Sequence, residues 1–488
     1  MEAENKSLKR QTLGGILWLG GVKVSQAVLQ FGIVAILARL LTPSDFGLMG
    51  LALIVVSFSD IFTDLGFGPA ITQKKELSET DIYTGFTFSI IFGFLLFVLL
   101  WILSPIIASF FKSKELIPIL RAISVVLLIT SAKTTLLGIM YRNLQFKKLS
   151  LIQITSYFLG YGLVGIILAI LGFGVWSLVI AVICQAILSL FLYLYYSRDY
   201  VGISFNKKSF KSLLYFGGGY SLGRIFTFIG NKGDTIIIGK FLDVSSLGVY
   251  ERGYQLVRSM ANLMGEVIDK ALFSPMAKKQ NDRSRLGVIY LEITYILSII
   301  LMPLSIFMYQ NSKSIVRILL GPQWDSSVPI AEAMSISLFF LLTTKVGNTL
   351  AKSVGEVYNR ALRNLIMAIM IIIGAYIGTF YGITEVAYIV SLIIIINYFF
   401  AFTQINNITN IGYLNFFKTH IVGIISACVC FCLSYFVNLI SSLFKFNIYI
   451  DMLINGLIYL LVFLMTIFIF DSKKIVLKYL HFMKLKNK

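Results

Sequence analysis

The chain has 488 residues, of which 57% are hydrophobic and only 13% are charged, and its mean hydropathy is +0.85. A soluble domain carries about 25% charged residues, so this chain has too few polar side chains to cover soluble domains of its size. The net charge of +19 would favour nucleic acid as a partner of a soluble protein. In so apolar a chain the composition instead predicts an all-α polytopic membrane protein.

Apolar runs of about twenty residues, the length that crosses a bilayer, recur along the whole chain. The first run is too long for the core of a signal peptide, so we expect it to remain as a helix. The loops between the runs are short, so no extramembrane domain is expected. Fourteen runs are predicted as transmembrane helices: about 13–38, 46–70, 83–110, 117–140, 150–171, 174–196, 212–238, 247–272, 286–310, 327–350, 361–381, 384–404, 418–439 and 449–470.

An internal repeat relates two halves of the chain. A shift of 201 residues places the sequence of residues 38–41 on that of residues 239–242, and a shift of 212 residues places Lys133 on Lys345. Six spans per half is an even number, so both halves have the same orientation, and a central site between them is expected. The predicted division is a first six-helix lobe at 1–200, a second at 201–406, and a terminal helix pair with a basic tail at 407–488.

The positive charges predict the orientation in the membrane. With the N-terminus in the cytoplasm, the cytoplasmic segments carry 26 Lys and Arg residues and the outer loops carry seven. We therefore expect both termini in the cytoplasm. The positive charge is then mainly a topology signal, which predicts contact with anionic membrane lipids and argues against nucleic acid.

A stripe of polar residues lies deep inside the first predicted span and is repeated in the seventh. Lys23 is about 15 Å from the cytoplasmic end of its span, farther than a lysine side chain reaches. Gln26 and Gln30 follow on the same helical face, and Arg224 and Asn231 repeat the pattern. Such residues form either buried structural hydrogen-bond clusters or a seam that lines a water-filled cavity, and the depth of Lys23 favours the seam.

Other ionisable residues lie within spans and allow two interpretations each. Lys133 and Lys345 are near the cytoplasmic ends of their spans and either snorkel or face the cavity. Arg258 and Glu266 lie at helical spacing on the eighth span and fit a structural ion pair or a ligand site.

Two carboxylates, Asp60 and Asp64, lie on one face of the second span. They fit a site that binds H⁺ or Na⁺ for transport coupling, or they neutralise Lys23 or Arg224.

Motifs for enzymatic chemistry do not occur in the sequence. It contains no Walker motif, no His-Glu-x-x-His and no Gly-x-Ser-x-Gly. The three cysteines between residues 428 and 432 point in different directions around a helix, so they predict no metal site. We therefore expect no catalytic residues and no cofactor apart from a coupling ion.

Three segments resemble a known family: ARLLTPSDFG at 38–47, FTDLGFG at 62–68 and YRNLQFKK at 141–148. They are similar to the polysaccharide exporters of the multidrug/oligosaccharidyl-lipid/polysaccharide (MOP) superfamily, in the branch of colanic-acid, teichuronic-acid and lipopolysaccharide repeat-unit flippases. The resemblance covers nearly the whole chain. It implies a two-lobe fold like that of the MATE multidrug exporters, alternating access, and a location in the bacterial plasma membrane.

The resemblance also implies a cargo, an undecaprenyl-diphosphate-linked oligosaccharide that moves to the outer leaflet for surface polysaccharide synthesis. A polysaccharide polymerase and a chain-length regulator are the implied protein partners. Two alternatives are an ion-coupled multidrug exporter of the same fold, disfavoured by cations in mid-membrane, and a membrane polysaccharide polymerase, disfavoured by the short outer loops. The expected cargo site consists of cations for the diphosphate and neutral groups for sugar hydroxyls: Lys23, Arg224, Lys133, Lys345, Arg258, Gln26, Gln30 and Asn231.

Overall fold

The computed structural model describes residues 25–64, 67–74, 76–444 and 448–469. Within these ranges every regular element is a helix and no strand occurs. A long apolar segment in lipid has no water to bind its peptide groups, so it satisfies them within its own helix. The all-α fold predicted from composition is confirmed.

The first half of the chain alternates long helices with short connecting ones. The fourth and fifth apolar runs are each broken, the fourth at Ser124 and the fifth by a π-helical segment at Ser156–Leu163. In chain order the helices are α1 (Ser25–Leu40), α2 (Pro43–Asp64), α3 (Phe67–Gln73), α4 (Glu79–Phe110), α5 (Leu116–Ile123), α6 (Val125–Arg142), α7 (Phe146–Thr155), α8 (Val164–Ile170), α9 (Val175–Tyr196) and α10 (Lys207–Phe241).

The second half begins with another long helix. Short 3₁₀ segments occur at Arg198–Tyr200 in the first half and at Pro322–Ser327 in the second. The helices are α11 (Val244–Lys278), α12 (Arg283–Gln310), α13 (Ser312–Leu319), α14 (Val328–Ser353), α15 (Val357–Thr379), α16 (Ile383–Thr409), α17 (Tyr413–Phe444) and α18 (Ile448–Ile469).

The chain divides after Gly248 into two compact units. In the first, α6 packs against α2, α4 and α9, and α10 packs against α2, α3 and α4. In the second, α12 packs against α14 and α17, and α16 packs against α14 and α15. The divisions at 200/201 and 406/407, which rest on the sequence repeat, stay predictions.

Eleven helices in the described ranges are long and apolar enough to cross a membrane. The predicted spans that this set omits correspond to α1, α10 and α11. Only 16 residues of α1 are described, and α10 and α11 are 35-residue helices that carry many charged side chains. The chain is a multi-pass membrane protein, and the number of fourteen spans stays a prediction.

Capping residues start α2 and α11 at positions that the 201-residue shift relates. At α2, the Asp45 amide donates to Thr42 Oγ1 at 3.3 Å, and the Thr42 amide donates to Asp45 Oδ2 at 2.9 Å. At α11, the Ser246 amide donates to Asp243 Oδ1 at 2.7 Å. Burial favours a higher pKa for Asp243, but the hydrogen bonds from Ser246 outweigh it and leave the pKa below its ordinary value.

Two glycines at related positions allow the starts of these helices to touch. A Cβ on Gly47 would lie 1.8 Å from the Val244 carbonyl oxygen, and a Cβ on Gly248 would lie 1.9 Å from the Pro43 carbonyl oxygen. The 201-residue shift relates Gly47 to Gly248 and Pro43 to Val244. The contact is therefore reciprocal, as expected for a symmetric packing of two equivalent helix ends.

Arg142, within the third family-like segment, binds the C-terminal end of a neighbouring helix. Its guanidinium donates to the carbonyl oxygen of Ile71 at 3.2 Å and to that of Lys74, at the end of α3. The Lys74 ammonium in turn lies 2.7 Å from Asp81, which caps α4. The cation thus satisfies carbonyls that lack partners within their own helix.

Candidate functional site

Lys133 lies in the first unit where three helices, α2, α6 and α9, come together. It lies half-buried on α6, which packs against both α2 and α9. Its Nζ is 3.5 Å from Ser189 Oγ on α9, and the Asp60 carboxylate of α2 acts electrostatically on it. Thr63 Oγ1, one turn farther along α2, is 3.4 Å from Asp60 Oδ1. The arrangement places an ammonium and a carboxylate together in an apolar helix bundle, where both are costly to desolvate.

Lys345 occupies the corresponding place in the second unit. It lies half-buried on α14, and its Nζ donates to the Ala261 carbonyl oxygen at 3.2 Å and to Asn262 Oδ1 at 3.0 Å, both on α11. Gly265 allows this reach, because a Cβ there would lie 2.2 Å from Lys345 Cδ. The aliphatic part of the lysine therefore crosses the surface of α11 where that helix has no side chain.

The partners of the two lysines correspond through the sequence repeat. Lys133 and Lys345 are related by the 212-residue shift, and the 201-residue shift relates Asp60 to Ala261. Each lysine thus interacts with the same position of the equivalent neighbouring helix, electrostatically with a carboxylate in the first unit and by a hydrogen bond to a carbonyl oxygen in the second.

An ion pair continues the polar contact between α11 and α14. Asp269 Oδ2 is 3.1 Å from Lys352 Nζ, and Thr349 Oγ1 donates to Asp269 Oδ1 at 2.5 Å. Both charged side chains are partly exposed, so the pair contributes little to stability. Asp269 is on the face of the eighth span that the sequence analysis interpreted as either an ion pair or a ligand site.

The remaining predicted residues are dispersed over several helices. Gln26 is half-buried on α1, with a buried Oε1 that has no partner in the described part of the chain. Gln30 and Asn231 are exposed. The Arg258 guanidinium lies 5.2 Å from the centre of the Tyr254 ring. Lys23 lies outside the described residues, as do the side chains of Arg224, Asp64 and Glu266.

Arg363, which is one of the 26 Lys and Arg residues counted above as cytoplasmic charges, is a buried cation. It is 7% exposed, donates to Gln404 Oε1 at 3.1 Å and also donates to Asn348 Oδ1. The sequence did indicate its burial, because Arg363 lies within the predicted span 361–381 and not in the loop before it. Its polar partners on α14 and α16 could not be identified from spacing along the chain.

Two relatives from bacteria align with about two thirds of the chain. The Bacillus subtilis (strain 168) teichuronic acid biosynthesis protein TuaB is 25% identical over 331 residues, 68% of this chain and 68% of its own length. The Escherichia coli (strain K12) lipopolysaccharide biosynthesis protein WzxC is 22% identical over 334 residues, 68% of this chain and 67% of its own length.

Two solved structures share the fold. The lipid II flippase MurJ in an inward closed conformation has a TM-score of 0.74 at 17% identity, covering 94% of this chain and all of MurJ. A MATE family multidrug resistance transporter of the MOP superfamily, inward-facing, has a TM-score of 0.59 at 16% identity, covering 80% of this chain and 99% of the transporter. At these identities the similarity establishes the fold alone, which is the MATE-like fold predicted from the resemblance.

The family follows from a match across most of the chain. The model of the family described as "Polysaccharide biosynthesis protein" matches residues 36–329, which include all of α2 to α13 and thus Lys133 on α6, and which end before Lys345 on α14. Together with the fold, this match confirms the resemblance to polysaccharide exporters. The chain belongs to the polysaccharide biosynthesis protein family and is a multi-pass membrane protein with a MOP-superfamily fold.

Proposed function

We propose that the protein is a flippase that moves undecaprenyl-diphosphate-linked oligosaccharide repeat units from the cytoplasmic to the outer leaflet. The observation that carries the proposal is the pair of half-buried lysines, Lys133 and Lys345, at repeat-related positions of α6 and α14. Family membership, and relatives named for teichuronic acid and lipopolysaccharide biosynthesis, support it. The fold shared with a lipid II flippase supports the mechanism of alternating access.

The chemistry of the cargo matches these side chains. Within each unit, a phosphate group is a stronger, charge-assisted partner for the lysine ammonium than the neutral oxygen it now meets, Ser189 Oγ for Lys133 and Asn262 Oδ1 for Lys345. The predicted cations Lys23, Arg224 and Arg258 add to the attraction, while the amides of Gln26, Gln30 and Asn231 bind sugar hydroxyls. The prenyl tail stays in the bilayer, so only the polar head crosses. No covalent bond changes, which makes the protein a transporter and not an enzyme.

The lysine pair is tested in cells that lack the gene and carry a variant copy. We expect K133A/K345A to abolish surface polymer and to accumulate intact lipid-linked repeat units, because the diphosphate then has to enter an apolar helix bundle without its counter-charges. The measurements are the surface polymer and the extracted undecaprenyl-linked intermediates. Lys279→Ala, which removes an exposed lysine after α11, is the control and should retain export.

Three outcomes would contradict the proposal. Full export by the double variant at normal protein level would show that the two lysines do not bind the cargo. Repeat units that reach the outer face but stay unjoined in the deletion strain would favour a polymerase. Unchanged polymer together with drug resistance conferred on a sensitive host would favour a multidrug exporter.

Coupling to H⁺ or Na⁺ through Asp60 is part of the same proposal, with Asp64 and Glu266 as further candidates. Asp60 is suited to it because its carboxylate acts on Lys133, so a bound proton or cation changes the charge that the cargo meets. In proteoliposomes we expect a gradient of one ion to drive transport, and D60N to abolish that dependence while cargo still binds. Transport that ignores both gradients in the unmodified protein would eliminate the coupling role.

The proposed reaction also implies a location and partners. Lipid-linked units are assembled at the cytoplasmic face of a bacterial plasma membrane, so the protein resides there with both termini inside. A polymerase and a chain-length regulator then act on the delivered units at the outer face.

A further inference from the structure

A cavity of about 540 Å³ lies within the second unit, and its lining does not include Lys345. Its walls come from the starts of α12 and α15 and from the last turns of α16. Because α15 rises about 1.5 Å per residue, Arg363 lies about 9 Å from its first residue. The apolar span of α15 begins at Asn359, so Arg363 lies only about 6 Å along that span, near the end that would meet the polar interface of a leaflet.

The polar wall of the cavity carries hydrogen-bond donors without acceptors. Arg363 donates to Gln404 Oε1, which identifies the amide nitrogen of Gln404 as the remaining donor group. Within the described residues, neither Gln404 Nε2 nor Arg363 Nε has a partner, although both atoms are buried. An unsatisfied buried donor is unfavourable, so a small rotation of either side chain toward an acceptor in the cavity would be favourable.

The charges of the wall select an anionic acceptor. Arg363 and Arg283 line the cavity together with a single carboxylate, Glu356. Asn359 Nδ2 donates to Glu356 Oε2 at 2.8 Å, which holds that carboxylate at the start of α15. The lining therefore has a net positive charge, and a phosphate oxygen matches the guanidinium geometry.

The rest of the lining includes apolar side chains with large exposed surfaces. They are Leu362, Ile366 and Phe400, and each exposes 44–57% of its surface. In a protein that spans a bilayer such exposed side chains contact acyl chains. The cavity thus joins donors for a phosphate to a surface for a hydrocarbon chain.

We propose that this cavity binds an anionic phospholipid, with its phosphate on Arg363 and Gln404. One acyl chain lies along Leu362, Ile366 and Phe400. The lipid is a resident of the leaflet and is not the transported cargo, so the assignment does not depend on the proposed flipping activity. Inorganic phosphate and undecaprenyl phosphate also carry a phosphate group that could bind Arg363. The experiment therefore compares them with the phospholipid.

The test is native mass spectrometry of the purified full chain, titrated with phosphatidylglycerol or phosphatidylcholine. We expect about tenfold tighter binding of phosphatidylglycerol, because both lipids carry the phosphate diester but the choline of phosphatidylcholine adds a positive charge beside Arg363 and Arg283. Gln404→Glu should abolish this preference, because the new carboxylate pairs with Arg363 and occupies its donors while keeping the helices joined. R363Q should do the same if it folds. Arg285→Gln, next to the cavity but not in its lining, is the charge-matched control and should retain the preference.

The change in Tm on adding each ligand is a second measurement. It distinguishes a phospholipid from a soluble phosphate and from the proposed cargo lipid. Phosphatidylglycerol should raise the Tm of the unmodified protein and of R285Q, and should leave that of Q404E unchanged. Equal binding of the two phospholipids, or full preference in Q404E, would overturn the proposal. So would stabilisation by inorganic phosphate at the same concentration, which indicates a soluble anion, or binding of undecaprenyl phosphate but not of phosphatidylglycerol, which assigns the cavity to the cargo.

Discussion

His420, on α17, is an internal histidine whose protonation the contacts define. Its Nδ1 is 2.8 Å from the Phe416 carbonyl oxygen, and its Nε2 is 2.6 Å from the Tyr398 hydroxyl on α16. A carbonyl oxygen only accepts, so Nδ1 carries the proton and Nε2 accepts from the tyrosine. Phe339 and Phe416 pack edge-on against the ring. Such a neutral, enclosed imidazole is a structural element of the α16–α17 contact.

We expect His420→Phe to destabilise the second unit. The substitution preserves a ring of similar size but removes the 2.6 Å contact of the fully buried Tyr398 hydroxyl with Nε2 and leaves it only its interaction with Tyr290, at a cost of up to about 3 kcal/mol. The measurement is the Tm of purified protein in detergent. Y398F/H420F, which removes both polar groups, should recover most of the loss. A double variant as unstable as H420F would show that ring packing, and not the hydrogen bond, is responsible.

At the scale of elements, the sequence repeat corresponds to equivalent contacts at the starts of two helices. The caps of α2 and α11 and the glycines Gly47 and Gly248 are related by one shift of 201 residues. Their contact is reciprocal, because each glycine lies against the backbone near the first residue of the other helix. Any side chain at either position would separate these ends.

We expect G47A and G248A each to lower the Tm, by an amount that corresponds to about 1–3 kcal/mol of overpacking. The added methyl would meet a carbonyl oxygen, which cannot rotate away as a side chain can. Gly32→Ala on α1 is the matched control, since a Cβ there has no atom within 4 Å. It should be neutral or stabilising, because Ala favours a helix by up to about 1 kcal/mol over Gly. Equal effects of all three would mean that the close approach is unimportant.

At the scale of the whole molecule, the distribution of charge predicts the topology. Lys114, between α4 and α5, is in a predicted outer loop, and Lys278, at the end of α11, is in a predicted cytoplasmic one. Both side chains are exposed. The two positions therefore report opposite sides of the membrane.

We expect K114C to react with a membrane-impermeant maleimide in intact cells and K278C to react only after the cells are opened. The background is a variant whose native residues Cys184, Cys428, Cys430 and Cys432 are replaced. Normal surface polymer in each variant is the control for folding. The reverse labelling pattern would invert the predicted orientation of both termini.

The sequence by itself determined the class, the positions of most spans and the family. These properties depend on hydrophobicity and motifs along a short stretch of chain, where partition into lipid needs no knowledge of neighbouring helices. Helix ends were less well predicted. α10 and α11 continue for 35 residues each, past the predicted spans 212–238 and 247–272, because a helix propagates through polar residues once it is formed.

Only the tertiary structure decided which polar side chains meet. The sequence identified Lys133, Lys345 and Asp60, but it did not associate Asp60 with Lys133 or Asn262 with Lys345. It treated Arg363 as a topology charge. Contacts such as that from Arg363 to Gln404 join residues 41 positions apart, and their geometry follows from how helices pack and from which face each presents. Periodicity along one helix carries no information about the face of another, so these partners and the cavity beside them could come only from the folded chain.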